Sequence, residues 1–482
     1  MSLLLGIDEG TSAVKAILFD ADLRPVAEAR RSKPLAHPRP GWVEQDPEAI
    51  VSAVVEAAGE LLAGATEEVV ACGLDHQGES VLAWDAESGE PLTQVITWQD
   101  KRSQEVLERL EAEGTAAEVT ERSGMPLDPY FSAGKLAWLL EHDEAVARAV
   151  EAGTARLGTV DSFLCDRLGA GFATDPSTAS RTQLGAPEFD ERLLEIFGVP
   201  ATALPAIEDT AGDLGALSHQ SWPVELPLRA RCVDQQAALA GAGCVRPGLA
   251  KATYGTGVFV LAHAGDERPE PAGGLLPTVA WRVDGRVEWA LDGGVFTAGA
   301  LLEWLAGKLG LADDPPALAR AAEEAGDGGG VRVLPALAGV GAPWWKSEAR
   351  AVIAGLTAGS GAAEIGYAAL DGIAWRVADV VAAMRASVPI DVLRVHGGLT
   401  RSELLLRLQA DAAGVVVQRG SIDATAAGAA ALAAVGAGIW ESTGEIEERI
   451  PIGEQVKPQR DDGWRDPAHE AWRAFVRRAV EL

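Results

Sequence analysis

Residues 231–259, RCVDQQAALAGAGCVRPGLAKATYGTGVF, decide how the rest of the chain is read. A short apolar strand ends in one acid, Asp234, and a helix rich in small residues starts at once from Gln235. About twenty residues on, Tyr254-Gly255-Thr256-Gly257 forms a turn between two β-type runs, Leu249–Thr253 and Val258–Ala262. Glycines at such a turn let backbone N–H groups approach an anion, and the threonine hydroxyl adds a donor. A carboxylate and a phosphate-sized turn therefore lie close in sequence. Taken alone, they read as a buried helix cap followed by an ordinary hairpin.

The composition narrows the choice. A chain of 482 residues is too long for one ordinary core, and 48% apolar residues fit a packed α/β protein. With 41 basic and 71 acidic residues the formal charge is −30. No basic cluster offsets it, which excludes nucleic acid and anionic membrane as partners. An anionic nucleotide would need backbone donors and a divalent cation. Cys72, Cys165, Cys232 and Cys244 are scattered and read as buried apolar residues of a reducing compartment. No apolar run reaches membrane-spanning length and the N-terminus enters a strand directly, so a cytoplasmic location is expected.

The N-terminus repeats the device of the opening stretch. Leu3–Asp8, Val14–Phe19 and Val26–Ala29 form a β-meander whose first tip is Glu9-Gly10-Thr11-Ser12. Hydroxyls and bare N–H groups there suit phosphate, and Asp8 suits Mg²⁺ held through water. Two Gly-Thr hairpins, one from each half of a duplicated protein, can pinch a polyphosphate between them. Asp46-Pro47 starts a helix, with Ile50, Val54, Ala58 and Leu61 on its buried face. The strand Val69–Leu74 ends in Asp75-His76-Gln77-Gly78-Glu79-Ser80, and polar residues at such a strand end line ligand sites in open α/β sheets. Thr174–Thr182 reads as a polar loop, and the residues after Glu441 carry no clear signal. In the second half Val331–Gly341 reads as a strand entering a Gly-rich loop, and a long helix runs from Glu364 to about Ser387. His396-Gly397-Gly398 then separates a strand from a helix starting near Ser402, a device that brings N–H groups against a nucleotide. Neither a P-loop nor a dinucleotide glycine motif is present.

Together these pieces resemble the FGGY carbohydrate kinases. The resemblance rests on GIDEGTSAVKA at 6, PGWVEQDP at 40, QGE at 77, TWQDKR at 97, DPYFSAGKLAWLL at 128, GTVDSFL at 158, TASRTQL at 178, VDQQAAL at 233, KATYGTGVF at 251, GVGAPWW at 339 and HGGLTRSELLLRLQAD at 396. It implies a two-domain, duplicated actin-like ATPase fold of the α/β class, ribonuclease H-like, with a central cleft. Residues 1–240 and 241–482 would be its N- and C-terminal domains. The implied activity is ATP- and Mg²⁺-dependent phosphorylation of a hydroxyl of a small polyol or sugar. Asp234 is then the general base, and Asp8 and Asp234 hold the metal. Gly10, Thr11, Ser12, Lys15, Gly255 and Thr256 contact phosphates, while Gly339, Gly397, Gly398 and Glu403 lie on the nucleoside side. Gln77, Gly78, Glu79, Trp98, Tyr130, Asp234, Gln235 and Phe259 form the polyol pocket, although Trp98 and Tyr130 read alone are core aromatics. A homo-oligomer is the family expectation.

Departures from the pattern bear on the substrate. Glycerol-phosphorylating members of the family read Gln-Arg-Glu where this chain has Gln77-Gly78-Glu79, so a pocket arginine is missing and glycine is expected to leave room. A four- or five-carbon polyol, or glycerol bound more weakly, is the resulting expectation. Lys15 stands for an arginine, His396 for an acid and Glu403 for an asparagine. A glycine-rich loop used in the family for a sugar bisphosphate has no counterpart in SHQSWPVELPLRARC at 218. Two alternatives stay open: a ketose kinase for xylulose or ribulose, and a non-catalytic nucleotide-binding regulator on the same scaffold.

Overall fold

The computed structural model describes residues 2–270, 273–421 and 423–482. The chain divides into two compact units. One comprises Met1–Val245, Thr278–Trp289 and Asp423–Ile450; the other comprises Arg246–Pro277, Ala290–Ile422 and Pro451–Leu482. The boundary expected at 240–241 falls just before the long first segment ends, but two later stretches fold with that segment.

In the first unit the strands β1 (Leu3–Glu9), β2 (Ala13–Phe19), β3 (Pro25–Ser32), β4 (Val69–His76) and β5 (Leu226–Val233) build a sheet in the order β5-β4-β1-β2-β3, with Ala216–Leu217 at the β5 edge. β4 runs parallel to both β1 and β5, while β1, β2 and β3 form the antiparallel meander. A run such as LLLGIDE is nearly all buried because helices cover both faces. On one side lies α1 (Pro47–Gly64), started by the Asp46 side chain accepting from Glu48 N and by proline in the first turn. It buries Ile50, Val54, Ala58 and Leu61.

Two further helices matter for the site: α2 (Pro176–Arg181) and α3 (Asp234–Gly241). The sheet's other face takes α4 (Ala424–Gly436), ATAAGAAALAAVG, which lies against β1 and β4 with almost no side-chain layer between. A Cβ on Gly6 or Gly73 would strike the backbone of Ala426 or Ala429. The crossing of α3 and α4 is as close, because a Cβ on Gly241 or Gly428 would overlap the other helix's backbone. A second sheet, ordered Glu44–Gln45, Val95–Ile96, Val81–Asp85 and Ala155–Thr159, carries its own apolar cluster.

The second unit repeats the plan. The strands β6 (Gly248–Tyr254) and β7 (Val258–Gly265) form the expected hairpin, and β6 runs parallel to β8 (Ile390–His396), which is parallel to β9 (Val416–Arg419). Thus β6-β7-β8 reproduces the relation of β1-β2-β4. Within this unit the sheet runs in the order β7, β6, β8, β9, 455–456. The helices Ala362–Met384 and Glu403–Ala413 pack on it. Val331–Gly341 is strand only over Arg332–Leu334, since the glycines and Pro335 beyond break the ladder. The segment that carried no sequence signal ends in the helix Asp462–Ala479, which buries Trp472, Phe475 and Val476. Buried Asp379 anchors it by accepting from Trp472 Nε1 (3.0 Å), Trp344 Nε1 (2.9 Å) and Arg376 Nη1 (2.9 Å). No helix among the described residues is long and apolar enough to cross a membrane.

Candidate active site

Three acids stand at the C-terminal ends of three neighbouring parallel strands. Asp8 of β1 is in register with Asp75 of β4, Asp75 with Cys232 of β5, and Asp234 follows two residues on as the first residue of α3. Burial, then the neighbouring charges of Asp8 and Asp234, pushes the Asp75 carboxyl well above the usual range. Burial raises Asp8 to about 6 against the lowering effect of Lys15 and Lys33. Both carboxylate oxygens of Asp75 are buried and meet no donor among the described residues other than the neighbouring Asp8 carboxyl. Lys15 and Lys33 offset only part of this concentration of carboxylates. No three His, Cys, Asp or Glu side chains among the described residues converge as a closed metal cage. The donor set fits a hard cation kept partly hydrated and completed by phosphate, the way Mg²⁺ is bound.

The tip between β1 and β2 is built by its neighbours. Trp98 Nε1 donates to Thr11 Oγ1 (2.9 Å), and Gln45 Nε2 donates to the Thr11 carbonyl (2.6 Å). A hydroxyl that accepts an indole N–H aims its own hydrogen elsewhere. Ser12 is exposed and Gly10 half-buried. Lys15 lies across from Asp8 on β2, and its ammonium is shared between Asp423 and Glu28 (3.3 Å). It is thus committed to carboxylates as well as near the tip. Lys33, which sequence reasoning passed over, pairs with Glu9, and burial lowers it to about 7.

The polyol-pocket candidates separate into two groups. Gln77 is fully engaged: its amide donates to Glu9 Oε1 (3.1 Å) and Gln45 Oε1 (2.7 Å), and its oxygen accepts from Ser80 Oγ (3.3 Å). It supports the strand end. Glu79, Trp98 and Tyr130 form a connected wall. Trp98 and Tyr130 meet edge to face with ring centres 5.8 Å apart, and the Arg181 guanidinium lies 5.6 Å from the Tyr130 ring. Arg181 Nε donates to Glu79 Oε1 at 2.6 Å. Glu79 has φ = 60°, a left-handed conformation that a non-glycine residue keeps only when its surroundings impose it. Lys135 Nζ, buried and lowered to about 7 by burial, donates to the carbonyls of Tyr130 (2.5 Å), Phe131 (3.2 Å) and Glu79 (3.3 Å). The room expected beside Gly78 is narrowed, since a Cβ there would lie 2.9 Å from Val233 Cγ1. Asp234 and Gln235, on the first turn of α3, are half-buried.

Sequence reasoning missed α2. Thr174–Thr182, expected as a loop, contains a buried helix because Asp175 caps it, accepting from Ser177 N and Thr178 N, and Pro176 opens it. Each hydroxyl is answered: Ser177 Oγ accepts from Val233 N (3.1 Å), and Thr178 Oγ1 meets His76 Nε2 (2.9 Å).

In the second unit the β6-β7 turn leaves Gly255 and Thr256 exposed. The turn is braced by Ala298 N donating to the Thr256 carbonyl (2.8 Å). Gly397 has φ = 103°, and a Cβ on it would strike the Tyr254 backbone, so the two glycine turns adjoin. Ser402 caps the following helix through Leu405 N (3.2 Å). Glu403, expected on the nucleoside side, pairs with Arg419 (2.5 Å). Gly339 sits in a separate loop with φ = 85°. Phe259, half-buried on β7, faces Gly294. His396 is buried with Nε2 on Thr253 Oγ1 (2.8 Å), and burial lowers it to about 3.

Comparison with known proteins covers the chain end to end. The N-terminal domain of the FGGY family of carbohydrate kinases matches residues 3–241, and its C-terminal domain matches 250–437. A glycerol kinase of Citrifermentans bemidjiense is 40% identical over 489 residues, covering 99% of this chain and 98% of that protein. The structure of Plasmodium falciparum glycerol kinase with ADP matches with a TM-score of 0.94 at 28% identity, covering 99% and 98% of the two chains. A ligand-bound xylulose kinase from Lactobacillus acidophilus, 22% identical with a TM-score of 0.88 over 100% of this chain and 99% of its own, shares the fold.

Proposed function

The chain belongs to the FGGY family of carbohydrate kinases, with the two-domain actin-like α/β fold and the ATP-dependent phosphotransferase activity of glycerol kinase-like members, and from that premise we propose that its acceptor is glycerol. One observation carries the choice. The relatives that match it over nearly their whole length at about 40% identity are glycerol kinases. Val233 packs against Gly78, which narrows the room there that favoured a longer polyol.

In this reading the glycerol carbons lie against Trp98, Tyr130 and Phe259, and Glu79 accepts hydroxyl hydrogen bonds. Asp234 takes the proton as the hydroxyl oxygen bonds to the γ-phosphorus, the β,γ-bridging bond breaks and ADP leaves. Thr11, Ser12 and Thr256 donate to phosphate oxygens, with the backbone of Gly10 and Gly255. Gly339, Gly397, Gly398 and Glu403 border the nucleoside. Mg²⁺, when bound, offsets the phosphate charge. Buried Asp75, which meets no donor but the Asp8 carboxyl, is with Asp8 and Asp234 the donor set that supports it.

Turnover of ATP over glycerol, four- and five-carbon polyols, xylulose and ribulose tests the proposal. Glycerol should be preferred by a wide margin. A preferred pentitol or ketose would overturn the assignment. ATP hydrolysis indifferent to every polyol and unchanged in Asp234→Ala would support the regulator reading instead. In a glycerol-phosphorylating enzyme Asp234→Asn should lower kcat by about 10²–10⁴ with glycerol binding kept.

A further inference from the structure

We propose that Arg181 is the guanidinium of the polyol pocket, a positioning residue that sets Glu79 for the substrate hydroxyls from α2 instead of from position 78. The inference rests on the reading of Glu79 as a polyol ligand. Both side chains of the Arg181–Glu79 pair are only 5% exposed, with 2.6 Å between Nε and Oε1. A charge-assisted bond at that burial fixes the rotation of the carboxylate, and hence the direction in which its second oxygen accepts.

Three features make this arrangement more than a chance contact. Glu79 keeps a backbone conformation that its own chemistry disfavours, so its side-chain direction is imposed by what holds it. The same guanidinium lies 5.6 Å from the rings of both Tyr130 and Phe131, which ties the carboxylate to the aromatic wall. Finally, α2 is pinned at both ends of the pocket. Ser177 accepts the N–H of Val233, the residue before Asp234, and Thr178 meets His76, three residues before Glu79. Arg181 therefore refers Glu79 to the same rigid helix that holds the strand end bearing the base.

Position 78 cannot take over this role. A side chain there would start 2.9 Å from Val233 Cγ1 and displace the residue next to Asp234. The motif TASRTQL, which the phosphoryl-transfer assignment leaves without a task, acquires one.

The test uses full-length enzyme with glycerol and ATP, comparing Arg181→Lys, Arg181→Gln, Glu79→Gln and the double variant Arg181→Gln/Glu79→Gln. Arg181→Gln should raise KM for glycerol by about 50-fold or more while KM for ATP stays within about twofold. Arg181→Lys, keeping charge but losing the planar fork, should recover part of that loss. The double variant should be no worse than the more impaired single variant, because the two residues act as one unit. Losses that multiply, or equal rises in KM for both substrates, would overturn the inference. If Arg181→Gln fails to fold, Arg181→Lys decides: a folded protein with unchanged KM for glycerol refutes it. Wild-type enzyme that no polyol stimulates refutes the functional reading itself; glycerol turnover that ignores Arg181 refutes only this inference.

Discussion

Replacing Gly428 with alanine adds one methyl group to the middle of α4, on a helix whose neighbours are already small. That methyl would overlap the Ala237 carbonyl of α3 and lie 2.6 Å from Gly241 N, where ordinary contact begins at 3.4 Å. The helices must part by about 0.8 Å to relieve even the milder of these clashes, since both partners are backbone with no rotamer to yield. Overpacking of a close core typically costs about 1–3 kcal/mol, and a clash against backbone belongs at the upper end. The displaced helix begins at Asp234, so the strain reaches directly the residue proposed as the base. A shift near 1 Å in a reacting group can cost roughly 10²-fold in rate. Urea unfolding should therefore report a loss of about 3 kcal/mol, and kcat in the surviving folded enzyme should fall by about 10²-fold. A Gly428→Ala enzyme with wild-type midpoint and wild-type kcat would show that the crossing has slack and that this reasoning is wrong.

Two other perturbations follow from buried groups. Lys135→Met removes the donor to three buried carbonyls around the aromatic wall, and thermal denaturation should register a loss of about 2–5 kcal/mol with a raised KM for glycerol; unchanged values would show the carbonyls are satisfied elsewhere. His396 is held neutral down to about pH 3 in the fold against 6.5 in the unfolded chain, so the unfolded state binds more protons between those values and stability falls as pH drops from 6.5 towards 3. Its share is about 1 kcal/mol per pH unit across that window, and His396→Asn should flatten this part of the acid limb in pH-dependent urea titrations; an unchanged slope would refute it.

How far the sequence could be read depended on whether a residue's role was local. The β1-β2 and β6-β7 hairpins, α1 with its Asp46 cap, and Asp234 at a strand-to-helix junction follow from alternation, capping and turn chemistry within a few residues. α2 did not, because PSTASR has no apolar stripe; its burial is offset by polar partners, the neighbouring cap Asp175 and, distant in sequence, His76 and Glu79. A stronger weight on Asp175-Pro176 as a helix start would have found it. Gln77 read as a ligand contact because its amide is chemically suited to one, yet Glu9 and Gln45 absorb that capacity. The room inferred at Gly78 is narrowed for a related reason: a missing side chain says nothing about which neighbour, here Val233, packs against it. The small residues of α4 were legible as tight packing, but not the segment they pack against.

That α4 belongs to the first unit has a consequence for biosynthesis. The floor of the sheet bearing Asp8 and Asp75 is laid by residues 424–436, roughly 190 positions after that unit's first long segment ends at Val245. At ordinary translation speeds of about 5–20 residues per second, the nascent chain carries the unfinished sheet for on the order of 10–40 s before its covering helix is made. During that interval Gly6 and Gly73 present bare backbone to solvent or to a chaperone, and a chain cut short before residue 424 cannot complete the first unit.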